Sequence, residues 1–162
     1  MIIMGIDPGT ATTGWGVIRL VKGKAVYQAA GIISTPAHTP LSKRLLTIYK
    51  DINQLISEFH PSVLSLEELF FNTNAKTALL VGQARGIILL VAELHSCKIV
   101  SYTPLQVKMA ITGYGRADKR QMQQMVKTIL TLPSTPKPDD AADALAIALT
   151  YSYSYKFNRL KR

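Results

Sequence analysis

The sequence of 162 residues predicts one α/β domain built on a mixed five-stranded sheet, with three antiparallel strands, then parallel ones, and flanking helices. Three features carry this expectation. Three apolar, β-rich runs separated by short turns open the chain; helical periodicity then alternates with two short apolar runs; and no repeat or Gly/Ser-rich linker divides the sequence. With 48% hydrophobic residues, the chain can bury one substantial core but is too short for two full α/β domains.

The elements follow in order. IIMGI (2–6) reads as a central strand, and GWGVIRLV (14–21) and AVYQAAGIIST (25–35), joined across the KGK turn, complete an antiparallel meander. Leu41, Leu45, Ile48, Ile52, Leu55 and Phe59 recur at three- and four-residue steps, one face of an amphipathic helix that Pro61 stops. SVLSLEEL (62–69) is the fourth strand; a helix precedes it, so it is expected to run parallel to its neighbour. A second long helix covers 75–95, with Gly82 and Gly86 four apart, where another element can approach. KIVSYT (98–103) is the fifth strand, followed by helical PLQVKMAIT (104–112) and DKRQMQQMVKTILTL (118–132). Pro133, Pro136 and Pro138 mark a loop before the last helix, DDAADALAIALTYSY (139–153). Residues 1–155 are read as a single domain and 156–162, KFNRLKR, as a solvated basic tail. This order of strands and helices is the ribonuclease H-like arrangement.

Nineteen Lys and Arg against ten Asp and Glu leave a net charge of +9, which favours a polyanionic partner, nucleic acid before anionic membrane. The single cysteine, Cys97, lies in an apolar run; it reads as a core residue of a reducing compartment and excludes a zinc site built on cysteine pairs. No basic segment precedes the first apolar residues, and the run GIILLVA is short for a membrane span, so a cytosolic protein is expected.

The carboxylates carry the chemistry. Asp7 ends an apolar strand just before a Pro-Gly turn, a place with no structural need for an acid, and Glu67 lies near the end of the fourth strand. If those strands are neighbours, both acids open onto the edge where ligands collect in α/β sheets. Asp140 and Asp143 share one face of the last helix, whose N-terminus favours their ionised forms. Ordinary readings exist: Asp139 or Asp140 can be a helix cap, and Glu67 or Glu68 can face solvent. Carboxylates gathered without counter-charge repel, and a divalent metal resolves this. Oxygen-only donors point to Mg²⁺ or Mn²⁺, and two such ions about 3.5–4 Å apart can activate water and stabilise a leaving oxygen in phosphodiester hydrolysis.

GIDPGT with TGWGVI, LEELFFNTNAKTALLVGQARG, the TPLQVK segment and DDAADALAIA together resemble the RuvC family of crossover junction endodeoxyribonucleases, over nearly the whole chain. The resemblance implies that Asp7, Glu67, Asp140 and Asp143 are the catalytic and metal-binding acids. It selects Asp140 over Asp139 through the family's Asp-Ala-Ala-Asp spacing. Glu67 is favoured over Glu68, since strand alternation lets only one of the two face the site. It further implies about two Mg²⁺ ions per subunit, replaceable by Mn²⁺, a homodimer that nicks four-way (Holliday) junction DNA symmetrically during recombination and repair, and cooperation with the RuvA and RuvB branch-migration proteins. Phe70, with Phe71 beside it, matches an aromatic that stacks near the crossover, and Lys108 and Lys119 match basic positions near the DNA backbone. Arg85, Arg116 and Arg120 are further candidates for phosphate contact. Three rivals remain at this level. They are a shorter ribonuclease H-like family acting in ribosomal RNA maturation, the sugar kinase and actin-like ATPases with a related phosphate-binding turn, and a junction-binding protein without chemistry.

Overall fold

The computed structural model describes residues 1–68 and 75–160, with side chains to be read at 1–68 and 77–157. Five strands, β1 (Ile2–Asp7), β2 (Thr12–Val21), β3 (Lys24–Ser34), β4 (Val63–Glu67) and β5 (Lys98–Tyr102), form one sheet in the order β3-β2-β1-β4-β5. β1 pairs antiparallel with β2 and parallel with β4, and β4 pairs parallel with β5. The mixed sheet is therefore the expected one, and β1 is the strand at which its two halves meet.

Helices cover both faces. α1 (Leu41–Phe59) and α2 (Ala75–Leu94) close over Met4, Ile6, Val17, Leu64 and Leu66. α3 (Pro104–Thr112), α4 (Lys119–Leu130) and α5 (Asp139–Leu160) close over Ile3, Ile18 and Val63. α1 follows its sequence pattern: Ile48, Ile52 and Ile56 stand one turn apart and are buried, each such side chain contributing roughly 1.5–3 kcal/mol. α3 and α4 begin with capping boxes, Thr103 with Gln106 and Asp118 with Gln121, which satisfy the first free N–H groups.

Two elements differ from the sequence reading. α5 continues past residue 153 to Leu160, so most of the basic segment is helical; the Lys156 ammonium lies 5.6 Å from the Tyr153 ring centroid, a cation–π contact within the helix. In α2, the window Thr77–Leu94 is long and apolar enough to cross a membrane by length and composition alone. Arg85 and Glu93 bound the uninterrupted apolar run GIILLVA, whereas a mean over the window absorbs both charges. Here α2 lies on the sheet through Ala84, Ile88, Val91 and Ala92.

The last helix sits unusually close to the strands. A Cβ at Gly5 would overlap the Ala144 carbonyl and the Ala148 nitrogen; one at Gly14 would overlap the Asp140 carbonyl; one at Gly16 would press on Leu145. Gly5 and Gly16 are cross-strand partners, and Gly14 pairs with Asp7. These glycines form a floor without side chains, so α5 seats directly on the backbone with its first turn over the end of β1. Gly5→Ala should cost about 3 kcal/mol or more, because the obstacle is helix backbone and cannot rotate away; urea unfolding measures it.

Candidate active site

Strand parity aims the acids. Along β1, Ile3, Gly5 and Asp7 face α5, while Met4 and Ile6 face the other core. Along β4, Val63 and Ser65 face α5, and the Ser65 hydroxyl donates to the Ile147 carbonyl at 3.0 Å. Glu67 continues that alternation, and the parallel register that pairs Ile6 with Leu66 sets it beside Asp7. Glu68, one residue on, is exposed and its N–H donates to the Tyr102 carbonyl at 2.8 Å. The α5 face of the sheet is where Asp140 and Asp143 begin the helix.

The electrostatics record the crowding. Burial, then the charges of Glu67, Asp143 and Asp140, push the Asp7 carboxyl up to about 7, against a smaller opposing pull from Lys119. Burial and Asp143 raise Glu67, with Lys108 opposing. Asp143 is raised by burial above all, although Lys119 works against this by charge and hydrogen bond. Asp7, Glu67 and Asp143 thus share one field, to which Asp140 adds from the helix start.

Two lysines answer the acids. Lys119 opens α4, where a cation opposes the helix dipole, and its ammonium reaches Asp139 at 3.2 Å and Asp143 at 3.5 Å. Burial alone would lower its pKa, but these carboxylates win and raise it. Gln123, one turn along α4, donates to the other Asp139 oxygen at 2.8 Å. Asp139 therefore turns to α4; its hydrogen bonds with Lys119 and Gln123 lower its pKa. Lys108 on α3 lines a pocket of about 230 Å³ together with Glu67, Lys119, Met122 and Asp143.

Among the described residues, no three His, Cys, Asp or Glu side chains stand close enough to clasp an ion as they lie; Asp143 is engaged by Lys119 instead. The donor set nevertheless fits a hard divalent cation, because it is carboxylate throughout and its ionised forms are penalised until a positive charge enters.

The remaining candidates separate. Arg116 and Arg120 are exposed, in the α3–α4 connection and the first turn of α4. Arg85 points elsewhere: its Nε lies 3.4 Å from the Glu67 carbonyl oxygen and its Nη2 donates to Ser101 Oγ at 2.7 Å. Phe70 and Phe71 lie outside the described residues. Sequence reasoning missed the Asp139–Lys119–Gln123 group. The i, i+4 spacing of Lys119 and Gln123 was visible, but their shared partner across the proline loop was not.

A sheet of this order, with acids at the carboxyl ends of its first and fourth strands and on the helix that closes over them, defines a nuclease of the ribonuclease H-like class. The chain belongs to the RuvC family: the model of that family, described as crossover junction endodeoxyribonuclease RuvC, matches residues 3–151. A relative of the same description from Alkaliphilus oremlandii is 51% identical over 160 residues, covering 99% of this chain and 98% of the relative. The solved structure of Thermus thermophilus RuvC superposes with a TM-score of 0.90 at 35% identity, covering 98% of this chain and 97% of that one. The same protein in complex with Holliday junction substrate gives 0.92 at 34% identity, covering 98% and 96%.

Asp7 also predicts a stability signature in chelator. Its folded pKa of about 7 exceeds the ordinary 3.8, so the folded state holds a proton that the unfolded state has lost between those values, and stability falls as pH rises through that window. About three pKa units correspond to at most about 4 kcal/mol. Asp7→Asn should therefore be the more stable protein at pH 8, by up to that amount, with the gap cut to less than half at pH 5 and closed only below about pH 4; urea unfolding across that range checks it.

Proposed function

We propose that this protein resolves four-way DNA junctions by paired, symmetric, metal-dependent hydrolysis of phosphodiester bonds near the crossover. The observation that carries the reading is the convergence of Asp7, Glu67 and Asp143 on one sheet edge, with Lys108 and Lys119 beside them. The family assignment and the likeness to a RuvC solved with a Holliday junction support the substrate.

Asp7, Glu67, Asp140 and Asp143 would hold Mg²⁺, with Mn²⁺ as a substitute and about two ions per subunit. Bound there, the metal would supply an activated water and stabilise the departing oxygen. The protein's own groups do the positioning. Asp139 and Asp143 tether the Lys119 ammonium at the rim of the site, and Lys108 lines the same pocket as Glu67, so a scissile phosphate would meet two cations and fewer free acids. Arg116 and Arg120 would contact the backbone further along, and Phe70 and Phe71 would stack on bases at the crossover. The net charge of +9 suits this polyanion.

Two like-polarity cuts need two sites related by a two-fold axis, hence a homodimer. α2 supports it: Leu79, Leu90 and Leu94 are 64%, 53% and 63% exposed, and with Gln83 and Gly86 they recur at three- and four-residue steps on one face. A Cβ at Gly86 would meet nothing within 4 Å, which leaves room for a second helix. Junctions arise on the chromosome, so the protein would act in the cytoplasm, with RuvA and RuvB moving the branch point.

Incubation with a mobile four-way junction, a plain duplex and an RNA hairpin, with and without Mg²⁺, tests the activity. Only the junction should be cut, only with metal, and Asp7→Asn should bind it without cutting; cleavage in excess chelator removes the mechanism. Leu90→Asp with Leu94→Asp should give a monomer in sedimentation and replace paired cuts with isolated nicks.

A further inference from the structure

The carbonyl of Glu67 sits where the sheet has run out of donors. The residue that follows Asp7 is Pro8, which has no N–H, so the β1–β4 ladder stops there. On the other side the β4–β5 ladder is carried by alternate residues, with the Glu68 N–H donating to the Tyr102 carbonyl at 2.8 Å, so the Glu67 carbonyl faces β1 and not β5. β1 thus ends in a residue that cannot supply the next rung to the Glu67 carbonyl. Arg85 fills the gap from α2, pointing its Nε at this carbonyl at 3.4 Å while its Nη2 donates to Ser101 Oγ at 2.7 Å. Ser101 pairs with Leu66, so the two contacts of one rigid guanidinium bridge the last rungs of β4 and β5.

We infer that Arg85 is a positioning residue for the catalytic strand: it supplies the donor that Pro8 withholds, and so fixes the backbone from which the Glu67 side chain leaves for the active site. The charged fork lies across the sheet from the acids and does not line the pocket with Lys108 and Lys119. This role differs from a phosphate contact, and it rests on the reading of Glu67 as a working acid. A group that orients a ligand through its support typically changes activity or metal affinity by about 10- to 100-fold.

The test compares Arg85→Met, Arg85→Lys and Ser101→Ala with the unmodified protein. Hydrogen exchange of the 63–68 peptide is followed without DNA, junction binding and its salt dependence in chelator, and single-turnover cleavage against Mg²⁺ concentration. Arg85→Met should speed exchange in that peptide, slow cleavage at least about 10-fold and raise the Mg²⁺ needed for half-maximal rate, with junction affinity unchanged within about twofold. Arg85→Lys, which keeps one donor but not the fork, should recover part of the rate, and Ser101→Ala should show a smaller loss in the same direction. A fall in junction affinity with a salt slope reduced by about one would overturn the inference in favour of a phosphate contact. Unchanged exchange and cleavage in Arg85→Met would overturn it outright. Exchange is read without substrate, so an unmodified protein that fails to cut junctions would refute the function while leaving this measurement to decide the role of Arg85.

Discussion

The contact on which the arrangement depends is the seat of α5 on bare backbone. Gly5, Gly14 and Gly16 lie under Ala144, Asp140 and Leu145, and no other residue type fits beneath that helix without moving it. The close approach has two effects. It buries the apolar stripe of α5, from Leu145 to Leu149, over the strand at which the sheet changes from antiparallel to parallel. It also brings the first turn of α5 down over the end of β1, so that the acids of the helix and the acid of the strand share one volume. A helix riding higher on side chains would keep the fold and disperse the site.

That volume is electrostatically unfavourable by construction. Burial alone would raise Asp7, Glu67 and Asp143, and neighbouring carboxylates raise each of them further. The structure offsets this only in part, through Lys119, whose place at a helix N-terminus is itself unfavourable, and through Lys108 beside Glu67. Stored repulsion of this kind is a reservoir that cation binding releases. The two lysines differ in how they are held: Lys119 is tethered by Asp139 and Asp143, and Asp139 is fixed in turn by Gln123.

The two faces of the sheet divide the work. α5, α3 and α4 bring the acids and lysines together on one face, while α1 and α2 form the buried support on the other. α2 carries an inner face that reaches the end of β4 through Arg85 and an outer apolar stripe. The same helix therefore stands between an exposed apolar stripe and the strand that bears Glu67.

Much of this was legible in the sequence, because periodicity reports which residues face a core. The three opening strands, α1 with its Ile48, Ile52 and Ile56 stripe, the change to parallel pairing after a helix, and the odd position of Asp7 all follow from local pattern and connection length. Element ends were less legible: α5 runs on to Leu160, since no proline or glycine marks where a helix of small and aromatic residues must stop. What tertiary structure alone decided was which distant groups meet. Strand parity separates Glu67 from Glu68 only once a face has an owner. Asp139 became a partner of Lys119 and Gln123, and Arg85 a partner of the Glu67 carbonyl, across gaps of 16 to 20 residues in one case and 18 in the other. Sequence fixes the order of rungs along each strand and the face of each helix; the distances between them are set by how closely the layers pack, and here by three missing side chains under α5.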